Sequence, residues 1–232
     1  DIDIVSCHPT LMLQVVRKMV AAGALQWSDA LDKLVEYAEL NANGKPEGRL
    51  PMLLRIAEHF GIHPIVAKDV CKMLVLRVLN LGQVAAWCRE MSIDVPAEEQ
   101  ADLRDLAEVA RIVREAFFAM LERDHPGALQ ALQQRVWAHM LSKHERQKQD
   151  AQRKGEPPPQ PPSVAKRDRT MFSHCIFNLE DTALDCIDAK LRALGWCVAS
   201  LIYDGVHVKH RDGVDLTAAL RAAESGVKEQ LG

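Results

Sequence analysis

The chain has 232 residues, 48% apolar and 26% charged, with a net charge of −3. That is enough apolar material for one large domain or two small ones. The charge excludes a molecule wrapped in a uniformly positive field, so a nucleic-acid partner would have to be met by a local basic surface.

Aromatic residues make up only 5% of the chain, and Ala/Leu/Glu/Arg-rich runs dominate. The expected fold class is therefore α+β, mostly helical, with a small antiparallel sheet. The opening run DIDIV alternates as a short strand over Asp1–Val5. Because a strand begins so abruptly, the chain is expected to be a piece of a longer protein. Pro9 suits the first turn of a helix, which Leu11, Leu13, Val15, Val16, Met19 and Val20 carry to Gly23. Ser28 is placed to cap a helix running to about Leu40, and NANGKPEGR reads as a loop. Helices follow over Leu50–His59, from Pro64 to about Leu79, and over Val84–Met91. Two long helices are expected over Pro96–Glu122 and Gly127–Gln149, broken at Asp124-His125-Pro126.

The stretch KGEPPPQPPS then forbids helix and favours extended, solvated chain. Its surroundings are basic: Lys143 to Arg169 holds eight Lys/Arg against four Asp/Glu. This segment reads as an exposed spacer, or as a flap that touches phosphate. A helix from Met171 to Leu194 is striped with Phe172, Cys175, Ile176, Leu179, Ala183, Cys186, Ile187 and Leu191, and Gly195 stops it. SLIYDGVHV reads as a hairpin turning at Asp204-Gly205. A last helix runs from about Val214 to Leu231. The six cysteines lack CxxC spacing, which suits a reducing, intracellular compartment. No leader and no run long enough to cross a bilayer is seen, so no membrane partner is expected.

Two carboxylates stand at strand ends, Asp3 and Asp204. Taken singly, one is a residue beside a helix start and the other a turn residue. Should their strands be neighbours in one sheet, the pair supplies the oxygen donors Mg²⁺ requires. Two such ions roughly 3.5–4 Å apart clamp the attacking and leaving oxygens of a phosphoryl transfer. Lys68 and Lys72, four apart, share a helix face, with Arg77 on an adjoining part of the surface. A cationic face of this kind is either ordinary solvated lysine or a seat for a triphosphate, whose charge builds on the leaving pyrophosphate. The pairs Cys7-His8 and His174-Cys175 match no common zinc spacing.

In this order, the strand-end Asp3, the helix with Lys68 and Lys72 before Gly82, and the hairpin Asp204 resemble the fingers-and-palm core of family A DNA polymerases and the related single-subunit RNA polymerases. LVLRVLNLGQVAAW is similar to a divergent, virus- or mobile-element-like branch. The resemblance implies a palm of residues 1–23 and 170–232, helical fingers over 24–150 and a Pro-rich basic linker over 151–169. It also implies a nucleotidyltransferase whose Asp3 and Asp204 hold two Mg²⁺ ions (Mn²⁺ substituting). Lys68, Lys72, Arg77 and His8 would bind the nucleoside triphosphate, and His174, Asn178 and Glu180 the primer–template. Further domains or subunits would supply a thumb. Departures are Asn80-Leu81, where the family has a stacking Tyr, and Tyr203-Asp204-Gly205 in place of His-Asp-Glu. They leave open an alternative, a catalytically inactive nucleic-acid-binding or scaffold domain of the same ancestry.

Overall fold

Apolar spacing at three and four residues decides most of this fold, and a computed structural model of the chain describes residues 2–3, 7–42, 50–94, 100–202, 205–209 and 216–231. Among them the chain order is β1 (Ile2–Asp3), α1 (Cys7–Ala21), α2 (Asp29–Ala42), α3 (Leu50–His59), α4 (Pro64–Leu79), α5 (Val84–Met91), α6 (Ala101–Asp124), α7 (Ala128–Lys154), α8 (Val164–Ala193), β2 (Val198–Ile202), β3 (Gly205–Val208) and α9 (Leu216–Leu231). The fold is mostly helical with one small antiparallel sheet, the class expected from composition.

Local chemistry explains the boundaries. Pro64 sits at the first turn of α4, and the ring Nδ1 of His63 accepts from the Ile65 amide at 3.3 Å, filling one of the donors a helix start leaves open. Gln100 does the same for α6, its Oε1 accepting from the Leu103 amide at 2.7 Å. Ser28 differs from expectation: its hydroxyl is buried without a partner, and the turn closes instead through its carbonyl, which accepts from Leu31 N at 2.8 Å.

The proline-rich break is shorter than its composition implies. α7 continues to Lys154 and ends on Gly155, whose φ of 68° is the left-handed geometry glycine supplies freely. α8 restarts at Val164, capped by the Ser163 hydroxyl bonded to Lys166 N at 3.2 Å. The extended break is confined to residues 156–163.

One large core unites α1, α2, α3, α4 and α6 with the first half of α8 through Phe172 and Ile176. Each fully buried Leu, Ile or Phe there contributes about 2 kcal/mol. A smaller core joins the second half of α8 (Leu184, Ile187, Leu191) to Trp196, Val198 of β2, Val206 of β3 and Ala219 and Ala223 of α9. The 30-residue α8 thus belongs to both cores and ties the helical body to the sheet.

In the sheet the order is β1-β3-β2, all antiparallel neighbours. The hairpin expected near the C-terminus is present as β2 and β3, and the N-terminal strand completes it from the other end of the chain. Gly205 is opposite Asp3 on one side and Ile202 on the other.

Candidate active site

Of the two expected metal-binding carboxylates, Asp204 lies outside the described residues. Asp3 is described by its backbone, which pairs with Gly205, the residue that follows Asp204 in the chain. This register connects positions 3 and 205 across the whole length of the polypeptide.

A cavity of about 580 Å³ opens beside that end of the sheet. Leu201 of β2, one residue before the Ile202–Gly205 pair, contributes to its wall, with His8 of α1 and the α8 face Phe177, Glu180, Asp181, Leu184 and Asp185. Among the described residues, three carboxylates and one imidazole line it, and no Lys or Arg does.

His8 is the hub of this wall. Its Nε2 is 3.2 Å from Glu180 Oε2, its Nδ1 is 3.4 Å from Asn80 Nδ2, and its ring meets Phe177 edge-on at 5.0 Å between centroids. Asn80 can only donate through Nδ2, so Nδ1 accepts, and in the neutral ring the proton then sits on Nε2 and is donated to Glu180. The start of α1, the end of α4 and the middle of α8 are thereby joined in one chain of hydrogen bonds. Asn80 also gives Nδ2 to the Leu76 carbonyl at 2.9 Å, and its Oδ1 is buried without a partner.

The cationic helix is α4. Lys72 lies two turns before Asn80, about 12 Å along the axis, and is partly buried; Lys68, a further turn back, is exposed. Neither pairs with a carboxylate among the described residues. Arg77 is engaged elsewhere: its Nη2 lies 2.6 Å from Glu90 Oε2 on α5. The hydrogen bond from that guanidinium holds the Glu90 carboxyl below its ordinary range.

The turn after α4 is tight. Gly82 N donates to the Arg77 carbonyl at 2.7 Å, and a Cβ on Gly82 would stand 2.7 Å from that oxygen and 2.3 Å from Arg77 Cγ. Glycine is therefore required at 82 by close approach, while the left-handed position falls on Leu81 at φ 61°.

The expected nucleic-acid residues divide. Glu180 is buried against His8, whereas Asn178 and His174 are exposed on α8. His174 faces two further cavities, one shared with Asn80 and Gly82, the other with α7. Phe177, Asp181 and Leu201 belong to the walls but carried no signal as site residues in the sequence. For Phe177 the nearest thing to a clue is its place off the apolar stripe of Phe172, Cys175, Ile176 and Leu179, and in the fold its ring is 49% exposed. The thiols of Cys71 and Cys175 are pushed by burial up to about 11, so neither is an available thiolate at neutral pH.

No family model, no curated protein and no solved structure matches this chain.

Proposed function

We propose that the chain is the catalytic core of a template-directed nucleotidyltransferase. The observation that carries this reading is the register of β1 on the hairpin, Asp3 opposite Gly205, beside a cavity walled by carboxylates. Aspartate carboxylates form the oxygen-only donor set that Mg²⁺ takes, so the residue chemistry fits the ion. Asp3 and Asp204 would hold two such ions, which when bound would supply activation of a primer 3′-hydroxyl and neutralisation of charge on the departing pyrophosphate.

The remaining work is positioning. Lys72 and Lys68, which pair with no carboxylate among the described residues, offer their ammonium groups to the triphosphate. His8, braced by Glu180 and Asn80, presents a ring of fixed orientation at the cavity wall, where the sugar of the incoming nucleotide would sit. Phe177, packed on that ring, closes one side.

The test is primer extension by the full-length protein carrying Asp204→Asn. A loss on the order of a thousand-fold, about 4 kcal/mol in the barrier, is expected; extension at near wild-type rate ends the assignment.

A second reading, a catalytically inactive nucleic-acid-binding domain of the same ancestry, is favoured by two observations. Arg77 is already bound to Glu90, and Asn80 is tied to His8 and Leu76 where a stacking ring would be needed. Titration with Mg²⁺ separates the two. An enzyme binds nucleoside triphosphate only with the metal and loses this with Asp3→Ala, whereas a scaffold binds nucleic acid with steep salt dependence and ignores the metal.

A further inference from the structure

The three cavities lie along one face of one helix. From the N-terminal end of α8, Lys166, Thr170 and His174 line both smaller cavities, Phe177 lines the middle one and the large one, and Glu180, Asp181 and Asp185 line the large one alone. These positions recur every three or four residues, so they share a side of the helix. The charge is sorted along it. Among the described residues, no carboxylate lines the two smaller cavities, which hold about 280 and 340 Å³, and no Lys or Arg lines the large one.

The basic half is concave because α7 faces α8 there. His139, Lys143 and His144 of α7 stand across the cleft from Lys166 and His174, and Arg169 continues the wall toward Gly82. Among the described residues none of Lys143, Lys166 and Arg169 pairs with a carboxylate. Outside the cleft Arg111, by contrast, is matched by both Glu108 and Glu115. Like charges gathered in a cleft without counter-ions repel one another, a cost that a polyanion relieves.

We propose that the α7–α8 cleft is a binding track for the sugar–phosphate backbone of single-stranded nucleic acid. Lys143, Lys166 and Arg169 take the phosphates, and Phe177 gives an unpaired base a ring to stack on. From Lys166 to Phe177 the track is about 16 Å long. A helical phosphate contact needs cations, and stacking on a half-exposed ring needs a base released from pairing; a duplex offers the first without the second. The acidic stretch beyond Phe177 repels further phosphates and ends the track. This assignment stands whether or not the carboxylates beside the sheet are catalytic.

The experiment is fluorescence anisotropy of a short labelled oligothymidylate on the full chain across a salt series. The comparison is wild type against Lys143→Ala/Lys166→Ala, with Lys148→Ala/Lys154→Ala as an equal loss of charge on α7 outside the cleft. Circular dichroism checks that each variant folds. The cleft variant is expected to bind at least tenfold more weakly. Its plot of log affinity against log salt should flatten by about 1.4, two contacts at roughly 0.7 each for a single strand, while the control changes neither. Phe177→Ala should weaken oligothymidylate several-fold and leave inorganic pyrophosphate competition unchanged. Equal losses in the cleft and control variants, unchanged oligothymidylate affinity in the cleft variant, tighter binding of a duplex of the same length, or equal competition by polyglutamate would each overturn the proposal.

Discussion

Two regions of this molecule treat charge in opposite ways. At the junction of α2, α3 and α6, Asp102 is buried, and every neighbour answers it. Arg55 donates from Nε at 2.9 Å and from Nη2 at 3.0 Å, Gln100 Nε2 donates at 3.2 Å, and Lys33 Nζ lies at 3.4 Å. Along the open face of α8, by contrast, cations gather at one end and carboxylates at the other, with few cross-pairs. Folding uses up the first arrangement. The second is left over by folding, and a sorted, unanswered set of charges is what a charged ligand needs. The physical difference is therefore between charges that report on stability and charges that report on binding.

The largest effect should come from breaking the satisfied region. Asp102→Ala takes away the acceptor shared by Arg55, Lys33 and Gln100, leaving the two cations only Glu36, and is expected to cost roughly 2–3 kcal/mol, a fall in thermal midpoint of about 4–12 °C, with oligonucleotide affinity unchanged. The pH dependence has a definite sign. Burial pushes the Asp102 carboxyl up, but the hydrogen bonds from Arg55 and Gln100 and the nearby charges outweigh it, so its folded pKa is lowered. The unfolded carboxyl titrates near 3.9. The contribution is thus present in full above the unfolded value and is lost as pH falls toward the lower folded value. Asp102→Asn should remove that slope from an acid-unfolding series, and a slope that survives would assign the acid sensitivity to other carboxylates.

The next effect belongs to binding. Lys68→Ala/Lys72→Ala removes from α4 two cations that pair with no carboxylate among the described residues. We expect the KM for nucleoside triphosphate to rise about 10–100-fold, or 1.4–2.8 kcal/mol, while the thermal midpoint moves by less than about 2 °C. A large stability change here would erase the contrast with Asp102.

His8 sits on the border between the two kinds of region. His8→Ala leaves Glu180 buried without a donor, which should cost about 1–2 kcal/mol, and it also weakens nucleotide use. Adding Glu180→Gln, whose neutral amide is cheaper to leave buried, should restore most of the stability and none of the nucleotide use. Recovery of both would mean that the hydrogen bond only holds the fold.

Much of this was legible locally. Pro64, Gly195 and the break after Asp124 carry their own backbone chemistry, and α5 follows from apolar spacing over Val84–Met91. The proline segment misled only in extent, because prolines state where helix cannot be and say nothing of where neighbouring helices end; Gly155 and Ser163 decide that. Pairing of β1 with β3 has no local signal. It joins residues about two hundred positions apart, and the sequence offered it only as the condition under which two strand-end carboxylates could meet, a condition the family resemblance then favoured. The link from His8 to Asn80 and Glu180 was illegible for the same reason, since each residue alone reads as an ordinary helix position. The sorting of charge on α8 was half visible. The basic run from Lys143 to Arg169 stands out in the sequence, but which of its side chains face one cleft depends on how α7 packs against α8.

The smallest predicted effect discriminates best, because its sign differs from intuition. Lys166→Ala removes a surface charge that no carboxylate answers among the described residues, so no ion pair described there is lost. The fold loses instead some repulsion from Lys143 across the cleft and from Arg169 one turn further along α8. Thermal stability in low salt should therefore stay level or rise slightly, by up to about 0.5 kcal/mol, even as oligonucleotide binding falls. At 1 M salt, where the screening length is about 3 Å, the gain should vanish. Were Lys166→Ala to destabilise the protein at low salt, the lysine would have a hidden anionic partner. The cleft would then be an arrangement folding has already used, like the one around Asp102, rather than one left open for phosphate.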